Sequence, residues 1–115
     1  MLSLVREFTF DAAHNLKWHK GKCKNVHGHT YKLQVFVKGE LNKNGIIIDL
    51  KDIDNIVKKE IIEILDHDYL NNILENPTVE NLIIWIWKKL EDKLNGLYEL
   101  RVWETPKSFA IYTGE

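Results

Sequence analysis

The densest group of reactive side chains in this 115-residue chain is Cys23-Lys-Asn-Val-His27-Gly28-His29, with a further histidine, His14, upstream. His27 and His29 are two residues apart, so in an extended strand both rings leave the same face. A neighbouring strand ending at His14 brings a third imidazole to that point. Three protein ligands leave one tetrahedral position open, as in catalytic zinc sites, whereas structural zinc sites close the shell with four. A single His-x-His is weak evidence for a metal, because histidines also serve as ordinary core or surface residues. The convergence of His14, His27 and His29 carries the expectation of a metal, and the imidazole set with an open position favours zinc over copper or nickel. Gly28 lets the backbone bend and approach closely between the two ligands. Three readings are open for Cys23: a fourth ligand, a packing cysteine, or a catalytic thiol activated by nearby positive charge. The first would make the site structural and the protein a metal-stabilised binding module.

Two acid-bearing features add to this. Asp66-His67 is a carboxylate beside an imidazole, a pair in which the acid can orient the ring and stabilise its protonated form. The plainer alternative is that Asp66 caps or bridges while His67 meets helix C-terminal carbonyls. Glu104 ends an otherwise apolar strand row, so if buried it needs a salt-bridge partner or a ligand.

The elements that must position these residues follow from hydrophobic periodicity. From Leu2 to His14 the residues alternate, with Leu4, Phe8, Phe10, Ala12 and His14 sharing one parity. A second strand runs from about His27 to Glu40, with His27, His29, Tyr31, Leu33, Val35 and Val37 on one face. A turn at Leu41–Gly45 leads to a short extended run, Ile46–Ile48, and to Asp49, a good helix N-cap. Ile53, Ile56, Val57, Ile61, Ile64 and Leu65 have helical spacing and predict a helix over about Leu50–Ile64 that delivers Asp66-His67-Asp68. Pro77 and Thr78 open a second helix, expected to end near Asn95-Gly96. Two closing strands, about Tyr98–Thr105 and Ser108–Thr113, turn at Pro106 and place Leu100, Val102 and Glu104 on one face. The order is ββααββ with no linker, repeat or low-complexity stretch. It predicts a single α+β domain over 1–115: a four-stranded antiparallel sheet with both helices on one face. Its uncovered face and outer edges predict oligomerisation through strand edges.

A formal net charge of −1, with 29% charged and 44% hydrophobic residues, gives no support to nucleic-acid binding. Positive charge is instead local: Lys17, Lys20, Lys22 and Lys24 flank the reactive group, as a solvated loop or as a counter-surface for a phosphate-bearing ligand. One cysteine cannot form an internal disulfide, charge follows closely on Met1, and no apolar run approaches the length of a membrane span. The expectation is a soluble, untargeted protein of the cytoplasm.

Phe10-Asp-Ala-Ala-His14, Cys23-x-x-x-His27-Gly-His29-x-Tyr31, Ile48-Asp49, Leu65-Asp66-His67, Leu70-Asn71, Pro77-Thr78-x-Glu80-Asn81 and Glu104-Thr105 follow one another over nearly the whole sequence. In order and approximate spacing this series resembles the 6-pyruvoyl-tetrahydropterin synthase and 6-carboxy-tetrahydropterin synthase family. The resemblance implies the tunnelling fold, in which trimers close their sheets into a barrel and two trimers stack into a homohexamer with active sites between subunits. It implies that His14, His27 and His29 bind Zn2+, that Cys23 is the general base, and that Asp66 and His67 of another subunit form a proton relay. Glu104, with Thr105 beside it, would anchor the pterin. Three residues separate Cys23 from His27, as in the carboxy-tetrahydropterin synthases of the 7-deazaguanine (queuosine or archaeosine) pathway, whereas the animal pyruvoyl enzymes have a longer gap. The implied reaction is therefore a lyase step that converts 7,8-dihydroneopterin triphosphate to 6-carboxy-tetrahydropterin, acetaldehyde and triphosphate. The alternatives are 6-pyruvoyl-tetrahydropterin synthase, a dihydroneopterin aldolase-like activity, and a non-catalytic zinc module binding a purine or pterin. Pro106-Lys107-Ser108-Phe109 replaces the smaller residues often found in the family, which bears on the pocket rim.

Overall fold

The computed structural model describes all residues, 1–115. Two long strands, β1 (Ser3–His14) and β2 (His27–Lys38), pair antiparallel along their whole length, from Ser3 opposite Lys38 to His14 opposite His27. This register sets the three histidines at one end of the hairpin. β4 (Leu97–Thr105) pairs antiparallel with β2, and β5 (Ser108–Tyr112) folds back on β4. The expected four-stranded antiparallel sheet is corrected on one point. A fifth strand, β3 (Asp68–Tyr69), runs parallel to β1 opposite Ala12 and Ala13, giving a mixed sheet of order β3-β1-β2-β4-β5. Two residues are too few to show a period, so β3 leaves no alternation in the sequence.

Asp49 caps the first helix as expected, accepting from the Lys51 N–H. The helical run, α1, comprises Leu50–Val57, a π-helical stretch Lys58–Ile62 and a last turn Glu63–Leu65. Ile46–Ile48 is a bend rather than an extended run. Thr78 caps the second helix, α2 (Val79–Leu90), through the Asn81 N–H. The helix stops earlier than its apolar stripe, which Leu94 continues in a turn. Gly96 then reverses the backbone at φ +86°, where an added Cβ would strike the Lys38 carbonyl.

Both helices lie on one face of the sheet. Ile53, Val57, Ile61 and Leu65 of α1 and Leu82, Ile83, Ile86 and Leu90 of α2 close onto Phe10, Tyr31, Leu33, Val35, Leu100 and Val102 in one core. The alternation inferred from sequence is thus the inward face of each strand. The opposite face is uncovered and carries aromatic rings beneath cations, with Lys32 4.2 Å from the Trp103 ring centre and Arg101 4.7 Å from that of Phe36. No helix is long and apolar enough to cross a membrane.

Candidate active site

At the open end of the β1–β2 hairpin the inward row changes from hydrocarbon to imidazole. His14 is buried beyond Ala12, and His27 and His29 precede Tyr31 in β2. One ligand nitrogen from each of the three histidines lies within 4.8 Å of the others. The His14 Nδ1–H donates to the Pro77 carbonyl at 2.8 Å, and the His27 Nδ1–H donates to the Asn25 carbonyl at 2.7 Å. A carbonyl can only accept, so both rings hold their proton on Nδ1 and present the Nε2 lone pair. Those two Nε2 atoms are 3.1 Å apart. Two lone pairs facing each other repel unless a cation or proton lies between them. Two nitrogens about 2.0 Å from a tetrahedral zinc would stand roughly 3.3 Å apart.

His29 completes the argument, because its Nε2 is buried without a hydrogen-bond partner. Burial is the largest effect on its ring and holds its pKa below the ordinary histidine value. Glu104 opposes this, and His14 and His27 reinforce it. A neutral, orphaned imidazole beside two oriented lone pairs fits a divalent metal of borderline softness. Cys23 lies outside this cluster, and the three-histidine group includes no fourth ligand. Its thiol is free and half-buried, on a short 3-10 turn, Lys22–Lys24, between β1 and β2.

Glu104 reaches the same end from β4. The β4–β5 register shifts between Trp103 and Thr105, a bulge that re-aims the intervening residue. Its carboxylate is 3.9 Å from His29 Nε2 and only 26% exposed. With burial as the larger cause, Glu104 also helps to push the Tyr31 hydroxyl's pKa well up. Thr105, paired with Ser108 at the hairpin turn, is next to it.

Asp66 and His67 form a pair, with His67 Nδ1 3.0 Å from Asp66 Oδ2, but they stand apart from the histidine cluster. They hang on the free edge of β1, where the Asp11 N–H donates to Asp66 Oδ1 at 2.9 Å and the His67 N–H donates to the Asp11 carbonyl at 2.6 Å. The Asp11 N–H, and after it the His67 ring, hold the Asp66 carboxyl below the usual range, against partial desolvation. His67 has φ 60°, a left-handed conformation that costs a non-glycine residue roughly 1 kcal/mol or more. That conformation leaves its ring 79% exposed. The ring lines a cleft of about 560 Å³ with Asp11, Gly28 and Thr30, opposite in strand parity to the three histidines, and with Ala12 and His29, which share that parity. The dyad therefore stands exposed at the free edge of β1, outside the three-histidine group.

The sequence reading missed the Pro77 and Asn25 carbonyls that orient His14 and His27. It also missed the polar knot of Asn15, Tyr69 and Asn71 behind Cys23. Main-chain acceptors have no sequence signal; for the knot the signal was Leu70-Asn71, present in the motif series without a role.

Residues 3–115 match the family model described as 6-pyruvoyl tetrahydropterin synthase. The chain is 37% identical, over 97% of its own length and 99% of the relative's, to a Haemophilus influenzae protein named 6-carboxy-5,6,7,8-tetrahydropterin synthase. It is 38% identical, over 88% of each, to a Pyrococcus furiosus protein named dihydroneopterin monophosphate aldolase. The Caenorhabditis elegans 6-pyruvoyl tetrahydropterin synthase structure superposes with a TM-score of 0.89 at 29% identity, covering 99% of this chain and 96% of that one. With the three-histidine cluster, the bulged Glu104 and a match over nearly its full length, the chain belongs to the 6-pyruvoyl tetrahydropterin synthase family.

Proposed function

We propose that residues 1–115 act as one zinc-dependent lyase domain that converts 7,8-dihydroneopterin triphosphate and water to 6-carboxy-5,6,7,8-tetrahydropterin, acetaldehyde and triphosphate. The observation that carries this reading is the orphaned His29 Nε2 beside the oriented Nε2 lone pairs of His14 and His27. His14, His27 and His29 would hold the zinc ion, which when bound supplies Lewis acidity toward the hydroxyl oxygens of the substrate's propyl tail.

The protein's own residues then have distinct tasks. Glu104, projecting beside His29 from its bulge, accepts hydrogen bonds from the pterin's ring N–H and amino group and so fixes the ring relative to the reacting tail. Cys23, acting as a thiolate, takes a proton from a carbon of that tail. His67, oriented by Asp66, moves protons on the opposite side of the substrate while the triphosphate leaves and a carbon–carbon bond of the tail breaks.

The dyad stands exposed outside the three-histidine group, and the edges of β1 and β5 lack strand partners over most of their length. Both features favour an assembly in which edges pair between copies, forming a homohexamer of two trimers. Asp66 and His67 of one subunit would then complete the site of the next. The setting proposed is the cytoplasm, within 7-deazaguanine synthesis.

The three-residue gap between Cys23 and His27 favours this reaction over pyruvoyl-tetrahydropterin formation. A second reading, aldol cleavage of dihydroneopterin or its monophosphate, draws on the similarity to the P. furiosus aldolase. Incubating zinc-loaded protein with 7,8-dihydroneopterin triphosphate and identifying products by mass spectrometry decides among them. Carboxypterin with acetaldehyde is expected. Pyruvoylpterin, or hydroxymethylpterin with glycolaldehyde, would move the protein to a sister activity. Cys23→Ala should lower the rate by roughly 10²-fold or more; undiminished function in that variant would favour a binding module.

A further inference from the structure

Asn15 follows directly after His14, and is buried, with 9% of its surface exposed. All of its polar groups are engaged. Its backbone N–H donates to Asn71 Oδ1 at 3.0 Å, and its carbonyl accepts from Asn71 Nδ2 at 2.9 Å, so one carboxamide grips the backbone like a neighbouring strand. Its own Oδ1 accepts from the Tyr69 hydroxyl, and its Nδ2 donates to the Lys24 carbonyl at 3.1 Å. Both amides are unambiguous in orientation. A backbone N–H can only donate and a carbonyl only accept, so Asn71 cannot flip without losing both of its bonds, and Asn15 cannot flip without losing its bond to the Lys24 carbonyl.

The residue gripped at the far end, Lys24, adjoins Cys23. The same loop is closed by the Leu16 N–H donating to the Cys23 carbonyl at 2.7 Å and the Asn25 N–H donating to the Lys22 carbonyl at 3.0 Å. Tyr69 and Asn71 come from β3 and the 3-10 turn after it, Leu70–Asn72, immediately downstream of Asp66-His67. One short segment thus holds the acid–base pair at one end and the thiol loop at the other.

We infer that Asn71 and Tyr69, acting through Asn15, are positioning residues that set the location of the Cys23 thiol relative to the three histidines. None of the three needs to touch the substrate. The inference rests on Cys23 being the base of the proposed reaction, but the placement of the thiol is measurable without turnover. Asn71→Asp retains the acceptor for the Asn15 N–H and sets a carboxylate against the Asn15 carbonyl, which breaks the second bond and pushes the loop outward. A displacement of about 1 Å at a reacting group can cost up to about 10²-fold in rate.

The test compares wild type with Asn71→Asp in three measurements: zinc bound per subunit, the rate of Cys23 alkylation by iodoacetamide in the folded protein, and kcat against KM. The expected result is unchanged zinc content, an alkylation rate altered by about threefold or more, and a kcat lowered by about tenfold or more with KM within about twofold. Unchanged alkylation would overturn the inference, as would a loss of zinc parallel to the loss of kcat, which would put the effect on the histidines. If Asn71→Asp does not fold, Tyr69→Phe, which deletes a single hydroxyl, is judged by the same criteria. If alkylation shifts as expected while Cys23→Ala turns over normally, the clamp stands and the assignment of Cys23 as base falls.

Discussion

Replacing His29 with phenylalanine should have opposite effects on stability in metal-free and zinc-loaded protein. The ring sits edge-on to His14, His27 and Tyr31, at centroid distances of 5.0, 4.8 and 5.6 Å, and phenylalanine fits that shape without a polar atom. In the metal-free protein the His29 Nε2 is buried and unpartnered, which costs about 1–3 kcal/mol. His29→Phe removes that cost. At about 1 kcal/mol per roughly 3–6 °C for a protein of this size, metal-free His29→Phe should melt at least roughly 3 °C above metal-free wild type. Zinc reverses the order. Free metal at about 100 times its dissociation constant adds about 2.7 kcal/mol to the protein that binds it, and the variant, with two ligands left, gains far less. The assay is a set of four thermal melts at pH 8, in chelator and in buffered zinc, at one protein concentration because the proposed assembly would also shift Tm. At that pH the burial-lowered pKa keeps the wild-type ring neutral, so no ion pair with Glu104 confuses the comparison. A metal-free variant less stable than wild type, or one with the full zinc response, would refute the reasoning that His29 is a ligand held ready at a cost in stability.

Three further outcomes can be checked. His29 has a folded-state pKa below its unfolded value of about 6.5, so as pH falls below that value the unfolded protein takes up a proton the native metal-free protein resists. Stability should therefore decline from about pH 6.5 downward in urea titrations, and less steeply in His29→Phe. Glu104→Gln exchanges two charge-assisted acceptors for one neutral oxygen and a donor, and should weaken pterin binding by roughly 10-fold or more in a fluorescence titration, with zinc content unchanged. Thr78→Ala removes the acceptor for the Asn81 N–H and should cost about 1 kcal/mol in urea unfolding. It should also weaken zinc binding slightly, because Pro77, whose carbonyl orients His14, is the adjoining residue.

Local periodicity made a large part of the molecule legible. Alternation along Leu2–His14 and His27–Glu40 placed three histidines on the inward face before any fold was known, because strand parity is a property of the backbone alone. Asp49 and Thr78 announced the helix starts for the same kind of reason, since a cap bonds within its own first turn. The strand parity of Leu100, Val102 and Glu104 placed an acid at the end of the inward row, where it is half-buried, although the bulge that aims it was not visible.

What the tertiary structure alone decided are the relations between distant segments. Nothing in the composition of Asp68–Tyr69 marks a strand; it becomes one because Ala12 and Ala13 of β1 offer a free edge. The left-handed turn at His67, which leaves the ring exposed, is held by the carbonyl of Asp11, a residue remote in sequence. The Nδ1 protons of His14 and His27 are set by the backbone carbonyls of Pro77 and Asn25, groups every residue carries and no pattern distinguishes. A sequence specifies which face a residue takes because that choice is local. Which atom it meets there depends on how separate elements pack, and that was decided only when the sheet and its two helices closed on one core.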